Sequence, residues 1–360
     1  MKLAEIPAPS AERASRFADE VGETLNAGAV AVMMSIGHRT GLFDVMARLP
    51  PSGSGAIAEA AALSERYVRE WLAVMVTGGI VAYDPQRRLY SLPAEHAACL
   101  TRGGSLGNLA VYSQAVALLG AVQEHTLACF ETGGGLGYEH FPNFHQIMAE
   151  DSAQTVTAQL FTTVLPLVDG IDGRLTAGIE VLDAGCGRGT ALLAMARRYP
   201  ASRFTGYDLC ADAIDFAAAS ARQANLDNVR FAVRDLGEFD ERDRYDFITS
   251  FDAVHDQRDP QDLLQRLHRA LRPGGAYLMQ DIGGSAALEN NRDFPMAPLL
   301  YAISCAHCTP VSLGQGGCGL GTMWGWETAL AMLRAAGFKE IRKEVLPHDP
   351  MNVWFVSRRI

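Results

Sequence analysis

The sequence has 360 residues, a net charge of −10 and a mean hydropathy of +0.03, with 48% hydrophobic and 20% charged residues. This length exceeds one ordinary hydrophobic core and predicts two domains. The acidic balance disfavours nucleic acid as the main partner, because phosphate binding requires a basic surface.

The cysteines and the apolar segments indicate a cytoplasmic location. Seven cysteines form an odd set without the spacing of a disulfide framework, which is typical of a reducing compartment. The N-terminus shows no charged-then-apolar signal pattern, and no apolar run is long enough to span a bilayer. We therefore expect no membrane partner.

Residues 1–103 predict a mainly α winged-helix domain. The pattern of residues 1–35 is helical. Residues 57–72 predict a helix-turn-helix in which Ser64 caps the second helix. Residues 80–92 then predict a β-hairpin around a proline-containing turn. One face of the first helix carries apolar side chains, namely Val21, Leu25, Ala29 and Val32.

Such a domain either binds DNA or forms a dimer. Between Ile36 and Arg102 there are seven arginines and six acidic residues, so the segment is close to neutral. A DNA-binding domain is expected to be basic on one face. The composition therefore favours dimerisation, and a ligand-sensing transcriptional regulator remains the alternative from another functional class.

Residues 104–172 predict a helical connector that contributes to the active site. The glycine-rich segment 133–137 interrupts it, and residues 141–151 begin another helix. Phe144 and Met148 lie four residues apart on one helical face, which allows contact with a shared pocket. The same spacing also suits an ordinary core stripe.

Residues 173–360 alternate strands and helices, which predicts an α/β fold with a parallel sheet. An apolar strand ends at Asp183 and leads into a glycine turn containing Gly185 and Gly187. Glycines allow the backbone to approach a ligand closely. The next strand ends at Asp208, where a doubly wound fold places an acid beside ribose hydroxyls. These features predict a cofactor site.

The glycine spacing indicates which cofactor binds. Dinucleotide enzymes use G-x-G-x-x-G to hold a pyrophosphate. This chain has G-x-G-x-G preceded by Asp183, whose charge disfavours a pyrophosphate and suits an ammonium group. The stretch Leu-Asp-Ala-Gly-Cys-Gly-Arg-Gly resembles the first motif of class I S-adenosylmethionine-dependent methyltransferases. The resemblance implies a Rossmann-like methyltransferase domain with S-adenosylmethionine as cofactor.

Over most of its length the chain resembles plant-type and bacterial small-molecule O-methyltransferases. This resemblance implies an N-terminal dimerisation domain, and hence a homodimer. It also implies that Asp235 and Leu236 hold the adenine. Phe251 stands where the family often has a lysine and is expected to pack on the adenine or the sulfonium. The expected cofactor-binding set is Asp183, Gly185, Gly187, Asp208, Leu209, Asp235, Leu236 and Phe251.

His255 is the candidate general base, because a hydroxyl acceptor must lose its proton during methyl transfer. The ordinary pKa of histidine, near 6.5, would leave the imidazole mostly neutral at cytoplasmic pH. The family carries a catalytic histidine in an H-D-W-x-D sequence, whereas this chain has Gln257 in place of the tryptophan. Asp256 or Asp259 is expected to orient the imidazole. The pair His255-Asp256 also suits a simple turn before the next helix.

Residues 301–327 predict a glycine-rich mobile loop near the substrate. Its polar residues include Cys305 and Cys318. Cys305 and Cys308 form a C-x-x-C pair, but zinc ligation is disfavoured because no second such pair accompanies it. The chain shows no acidic cluster like that of catechol-type methyltransferases, so we expect metal-independent transfer. The expected substrate-pocket residues are Phe144, Met148, Tyr301, His307 and Cys308.

These observations predict methyl transfer from S-adenosylmethionine to a hydroxyl of a small molecule. Transfer to sulfur is the alternative, because a thiolate needs positioning alone. The sequence does not identify the acceptor molecule.

Overall fold

The computed structural model describes residues 9–360, so the first part of the predicted helix over residues 1–35 lies outside the described residues. The chain divides into two compact units, Met1–Ala117 and Leu118–Ile360. The predicted boundaries at residues 103 and 172 stay predictions.

The first unit is a winged helix, as predicted. Helix α4 begins after Ser64, which occupies the N-cap position without a side-chain capping hydrogen bond. Strands β1 and β2 pair antiparallel as the predicted hairpin. The elements in chain order are α1 (Ala11–Arg39), α2 (Leu42–Met46), α3 (Ser54–Ala61), α4 (Glu65–Thr77), β1 (Ala82–Asp84), β2 (Leu89–Ser91), α5 (Ala94–Leu100) and α6 (Ala110–Ala121), whose last residues belong to the second unit.

Trp71 centres the core of the first unit. Its indole Nε1 donates a hydrogen bond to the Met33 carbonyl at 2.8 Å, and its ring meets Phe43 edge-on at 5.3 Å. Gly37 permits this packing, because a Cβ there would lie 2.5 Å from the Trp71 ring. The predicted apolar face of α1 is exposed rather than buried, because Leu25 on that face is 70% exposed.

Charges on α4 are balanced within the helix itself. Arg66 pairs with Glu70, and Arg69 pairs with Glu65 at 3.1 Å. In a helix-turn-helix the second helix is the one that enters the DNA groove. The acids therefore offset the positive charge that such a helix needs, in agreement with the composition.

The second unit opens with helices and then builds the sheet. Helices α7 (Gln123–Thr132), α8 (Phe144–Thr155) and α9 (Ile171–Ala177) precede the first strand. The sheet region contains β3 (Glu180–Ala184), α10 (Thr190–Arg198), β4 (Arg203–Asp208), α11 (Ala211–Gln223), β5 (Val229–Val233), β6 (Tyr245–Phe251), α12 (Pro260–Ala270), β7 (Leu271–Ile282), α13 (Ala297–Ile303), α14 (Thr309–Gly314), α15 (Trp326–Ala335), β8 (Lys339–Leu346) and β9 (Asp349–Arg358).

Within the described residues the large sheet has seven strands in the order β5-β4-β3-β6-β7-β9-β8. Strands β3 to β7 run parallel, and β9 runs antiparallel to both β7 and β8. The predicted α/β fold is thus confirmed, and an antiparallel pair closes the sheet. The strand order reverses between β3 and β6, which places a ligand crevice at their carboxyl ends.

Buried apolar strands and helix faces hold this sheet together. Val181 and Leu182 of β3 are fully buried, and α12 packs Leu263, Leu264 and Leu267 against the sheet. Asp259 starts α12 by accepting a hydrogen bond from the Asp262 N–H at 2.9 Å, as an N-cap residue does.

The predicted loop over residues 301–327 is wrong in its first half. Residues 297–314 are helical, with a π-helical turn at Ser304–Cys308 between α13 and α14. Glycines concentrate only after Gly314, where the chain has no regular structure until α15. Across residues 9–360, none of the helices combines the length and apolar character that a bilayer crossing demands.

Candidate active site

The turn between β3 and α10 depends on glycine. Gly185, Gly187 and Gly189 have φ values of 77°, 50° and 72°, a region that other residues adopt at a cost. The Gly185 N–H donates to the Tyr207 carbonyl at 2.9 Å, which ties the turn to β4. A Cβ on Gly185 would lie 2.4 Å from the Ala253 Cβ. At Gly185 the turn therefore has no room for a side chain.

Asp208 fastens this turn at the end of β4. Its Oδ2 accepts a hydrogen bond from the Gly187 N–H at 2.8 Å, and its Oδ1 accepts one from the Cys210 N–H at 2.9 Å. At the end of β5, Asp235 accepts from the Gly237 N–H at 2.7 Å. Each strand thus ends in a carboxylate that local backbone amides fix in place.

Asp183 lies deepest in the site. It is buried, and one of its oxygens accepts a hydrogen bond from the Thr249 hydroxyl at 2.8 Å. Burial raises the pKa of Asp183 to about 7, although the Thr249 bond opposes the rise. A cation beside this carboxylate would favour its charged form.

The strand ends surround a cavity of about 960 Å³ that is partly open to solvent. All eight predicted cofactor residues border it, together with Asp256, Phe144 and Met148. The same lining contains residues that the sequence did not single out for this pocket: Tyr138, His145, Asp252 and Gln315. Of the described residues predicted for the site, His255, Tyr301, His307 and Cys308 do not border the cavity.

The charged side chains of the lining are mostly acidic. Among the described residues that border the cavity are five aspartates, against the two arginines Arg188 and Arg234. Such a pocket suits a ligand with positive charge and repels a pyrophosphate. S-adenosylmethionine carries an ammonium and a sulfonium, so its charges fit these residues: Asp183, Asp208, Asp235, Asp252 and Asp256.

His255 stands behind the cavity in a buried cluster. Its Nδ1 lies 2.8 Å from Asp281 Oδ1, and its Nε2 lies 3.3 Å from the Cys308 sulfur. The Asp281 oxygen also accepts from the Trp324 indole at 3.0 Å and from the Ile282 N–H at 2.8 Å. Both ring nitrogens of His255 are therefore engaged with protein groups.

This environment changes the protonation of His255. Burial alone would lower the pKa of the imidazole, but the Asp281 carboxylate and the Cys308 sulfur beside it together outweigh that effect and hold the pKa well above 6.5. The imidazole is thus charged near neutral pH, contrary to the sequence expectation of a neutral ring. Direct proton acceptance by His255 stays a prediction, and its geometry favours an indirect role.

The two carboxylates that the sequence predicts to orient the His255 imidazole, Asp256 and Asp259, have other partners. Asp256 Oδ2 accepts a hydrogen bond from the Tyr138 hydroxyl at 2.6 Å, and Asp259 caps α12. Asp281 on β7 orients the ring instead. The sequence signal for it was a charged residue inside an otherwise apolar strand, which is rare unless the charge is paired.

The predicted substrate residues lie at different depths. Phe144 borders the cavity and stacks on His307, with 4.0 Å between ring centroids. His307 is buried behind it, and burial lowers its pKa to about 3. The Tyr301 hydroxyl accepts from the Asn291 amide at 2.8 Å. Because residues 301–308 are helical, these side chains and Cys308 pack inward rather than line a mobile loop.

Comparison with known proteins agrees with this geometry. Residues 28–102 match the family model described as Rv2258c-like winged HTH domain, and residues 175–337 match the one described as methyltransferase domain. The chain therefore carries a winged helix-turn-helix domain followed by a methyltransferase domain of the S-adenosylmethionine-dependent class.

Individual proteins show the same pattern. The fatty-acid O-methyltransferase of Mycolicibacterium smegmatis is 29% identical over 146 residues, which are 40% of this chain and 50% of that protein. The chain thus spans about half the length of this curated relative. Human N-acetylserotonin methyltransferase, solved with S-adenosylmethionine, superimposes with a TM-score of 0.68 at 16% identity over 99% of each chain. The mitomycin 7-O-methyltransferase MmcR gives 0.65 at 18% identity over 96% of this chain and 99% of that chain. At these identities the superpositions show the shared fold.

Proposed function

We propose that this protein transfers the methyl group of S-adenosylmethionine to an oxygen atom of a small molecule. One observation carries the proposal: the glycine turn, Asp208 and Asp235 border the same cavity as Phe144 and Met148. A site for the methyl donor and a wall for an acceptor therefore share one cavity. Methyl transfer needs this arrangement, because the two reacting atoms must be held close and in line.

The residues present fit the donor. Asp208 would hold the ribose hydroxyls, Asp235 and Leu236 the adenine, and Asp183 the ammonium. When bound, S-adenosylmethionine supplies a methyl group on a positively charged sulfur, which is already activated for displacement. We accordingly propose that the transfer requires no metal ion.

The charge around the acceptor end favours a hydroxyl acceptor. Asp252 and Asp256 border the cavity together with Tyr138 and Phe144, and Asp256 accepts a hydrogen bond from the Tyr138 hydroxyl. A carboxylate acceptor would be repelled by these acids, whereas a neutral hydroxyl would find a group able to take its proton. His255 lies behind this wall, and we propose that it takes part in the transfer through the carboxylates around it.

We also propose that the protein acts as a homodimer. The support is the apolar face of α1, where Phe17, Val21 and Leu25 are 65%, 41% and 70% exposed. Exposed apolar patches of this kind mark interaction surfaces.

Calorimetry with S-adenosylmethionine tests the donor site. Wild-type protein should bind it, and Asp208→Ala should weaken binding by about tenfold or more, since hydrogen bonds to a charged group contribute roughly 1.5–3 kcal/mol. Asp293→Asn, an exposed acid outside the site, should bind normally. A wild-type protein that ignores S-adenosylmethionine would contradict the proposal.

Transfer of a labelled methyl group to a panel of phenols, alcohols and thiols tests the acceptor. Oxygen acceptors should become labelled, with the rate unaffected by a chelator. His255→Ala should lower turnover strongly and leave donor binding nearly intact. Labelling of thiols alone would favour sulfur transfer instead.

A further inference from the structure

We propose that Asp252 is the residue that takes the proton from the acceptor hydroxyl, with His255 acting as a positioning residue behind it. This inference rests on the proposed O-methylation. Asp252 is not among the residues that the sequence predicts for the site. It directly follows β6, next to Phe251, and borders the cavity.

The backbone of Asp252 is held in an unfavourable conformation. Its φ is +53°, in the left-handed region that non-glycine residues adopt at a cost. Its N–H donates to the Gln280 carbonyl at 3.0 Å, which fixes the residue against β7. Strained residues held by their surroundings concentrate at functional sites. The strain therefore indicates a functional role for the Asp252 side chain.

The Asp252 carboxylate has one enclosed oxygen and one open side. Oδ1 is buried, lies 3.7 Å from His255 Nδ1, and has no hydrogen-bond partner among the described residues. The side chain as a whole is 21% exposed, and it contributes to the cavity lining. A carboxylate whose remaining edge meets the pocket can receive a proton from a molecule bound there.

The neighbours of Asp252 set its proton affinity. Burial raises the pKa of Asp252 to about 7, against the effect of the His255 charge. The carboxylates of Asp281, Asp151 and Asp256 contribute to this rise as smaller causes than burial. A general base with a pKa near the working pH is the efficient choice. The imidazolium behind Asp252 keeps a useful fraction of the carboxylate ionised.

His255 is less suited to direct contact with the acceptor. It is 2% exposed, and both its ring nitrogens already face protein atoms. The chemical step is balanced without it. The acceptor oxygen forms a bond to the methyl carbon, the electrons of the broken C–S bond stay on sulfur, and the hydroxyl proton passes to the Asp252 carboxylate. A sulfonium and a carboxylate thereby become a neutral thioether and a neutral carboxylic acid.

A cation is the competing occupant of this cluster. Ligand atoms of Asp252, His255 and Asp281 lie within 4.8 Å of one another, close enough to surround a metal ion. However, the short contact between His255 Nδ1 and Asp281 places a proton between them. A nitrogen that carries a proton has no lone pair for a metal. The imidazolium itself supplies the positive charge that two buried carboxylates require.

The first experiment compares acceptors that differ in acidity. With phenol as acceptor, which is un-ionised at neutral pH, Asp252→Asn should lower turnover about 10²–10⁴-fold, the usual contribution of a general base. With 4-nitrophenol, largely ionised at the same pH, the loss should be only a few-fold. Asp252→Glu should recover part of the phenol rate. S-adenosylmethionine binding should weaken far less than turnover in both variants, and Asp293→Asn serves as the matched surface control.

The pH profile gives a second readout. Wild-type turnover with phenol should fall as pH drops below about 7, because the base becomes protonated, and Asp252→Asn should lack this limb. Equal losses with both phenols, or an unaltered profile in Asp252→Asn, would overturn the proposal. Loss of wild-type activity on adding a chelator would assign the cluster to a metal ion and would also overturn the proposal.

An infrared titration of the complex with S-adenosylhomocysteine tests Asp252 without any acceptor. Subtracting the Asp252→Asn spectrum from the wild-type one should leave a single carboxylic-acid band that titrates near neutral pH. Absence of that band would refute the proposal even if both phenols were poor substrates. Conversely, a band that titrates as expected in a protein that methylates no hydroxyl would show that the proposed function fails, and the assignment of Asp252 as a base with it.

Discussion

At the scale of single residues, the buried His255–Asp281 pair carries a large cost of desolvation. Side chains of 3% and 1% exposure are removed from water here, and such a pair often contributes little net stability. The Asp281 oxygen also takes hydrogen bonds from Trp324 and the Ile282 backbone. This support holds a charged imidazole at a fixed place behind the cavity, which suits a positioning role.

The two partners of this pair should be energetically coupled, so their removals should not have additive effects on stability. His255→Ala leaves the Asp281 charge buried without its partner, so the free energy of unfolding should fall by about 3–5 kcal/mol. The double variant His255→Ala/Asp281→Asn should lose less than the sum of the two single variants. Urea unfolding measures all three, and strictly additive losses would contradict a direct pair.

The stability difference between wild type and His255→Ala should depend on pH in a defined direction. The folded pKa of His255 lies above the unfolded value near 6.5. The stability that charged His255 contributes is therefore fully present below pH 6.5 and is lost as pH rises through the folded pKa. The difference should be largest in mildly acidic buffer and shrink in alkaline buffer. A difference that grows with pH would contradict the assignment.

At the scale of elements, the turn between β3 and α10 was predictable from sequence, and the cluster behind it was not. The turn is a local pattern in which the glycines follow a short apolar strand. Asp252 directly follows β6 and Asp281 lies on β7, and they meet His255 only because β6 and β7 pair in a particular register. The sequence predicts a loop for residues 301–308 as well, because the glycines from Gly314 onward give the whole segment the composition of a loop.

Two glycines of this turn should differ in their tolerance of alanine. Gly185→Ala combines a positive φ with a Cβ 2.4 Å from Ala253, so the turn must move. Gly187→Ala has the same kind of φ with nothing within 4 Å, so it should cost only about 1–2 kcal/mol of backbone strain. S-adenosylmethionine affinity should therefore drop much further in Gly185→Ala. Calorimetry and thermal melting compare the pair, and equal effects would show that close packing at Gly185 is unimportant.

At the scale of the whole molecule, the apolar face of α1 is the feature that a single chain leaves unexplained. Phe17, Val21 and Leu25 succeed one another every four residues and so lie on one side of the helix. The free-energy cost of exposing them favours a partner that covers them. A second copy of the chain, paired through the same face, satisfies this requirement symmetrically.

Leu25→Glu should therefore dissociate the proposed dimer. A buried charge at the centre of an apolar interface is expected to weaken association by about 2 kcal/mol or more, which corresponds to roughly 30-fold in the dissociation constant. Asn26→Glu adds the same charge to a neighbouring exposed face of α1 and should leave the dimer intact. Analytical ultracentrifugation over a range of concentrations distinguishes the variants, with circular dichroism confirming that both stay folded. A monomeric wild type, or equal dissociation of both variants, would exclude this face as the interface.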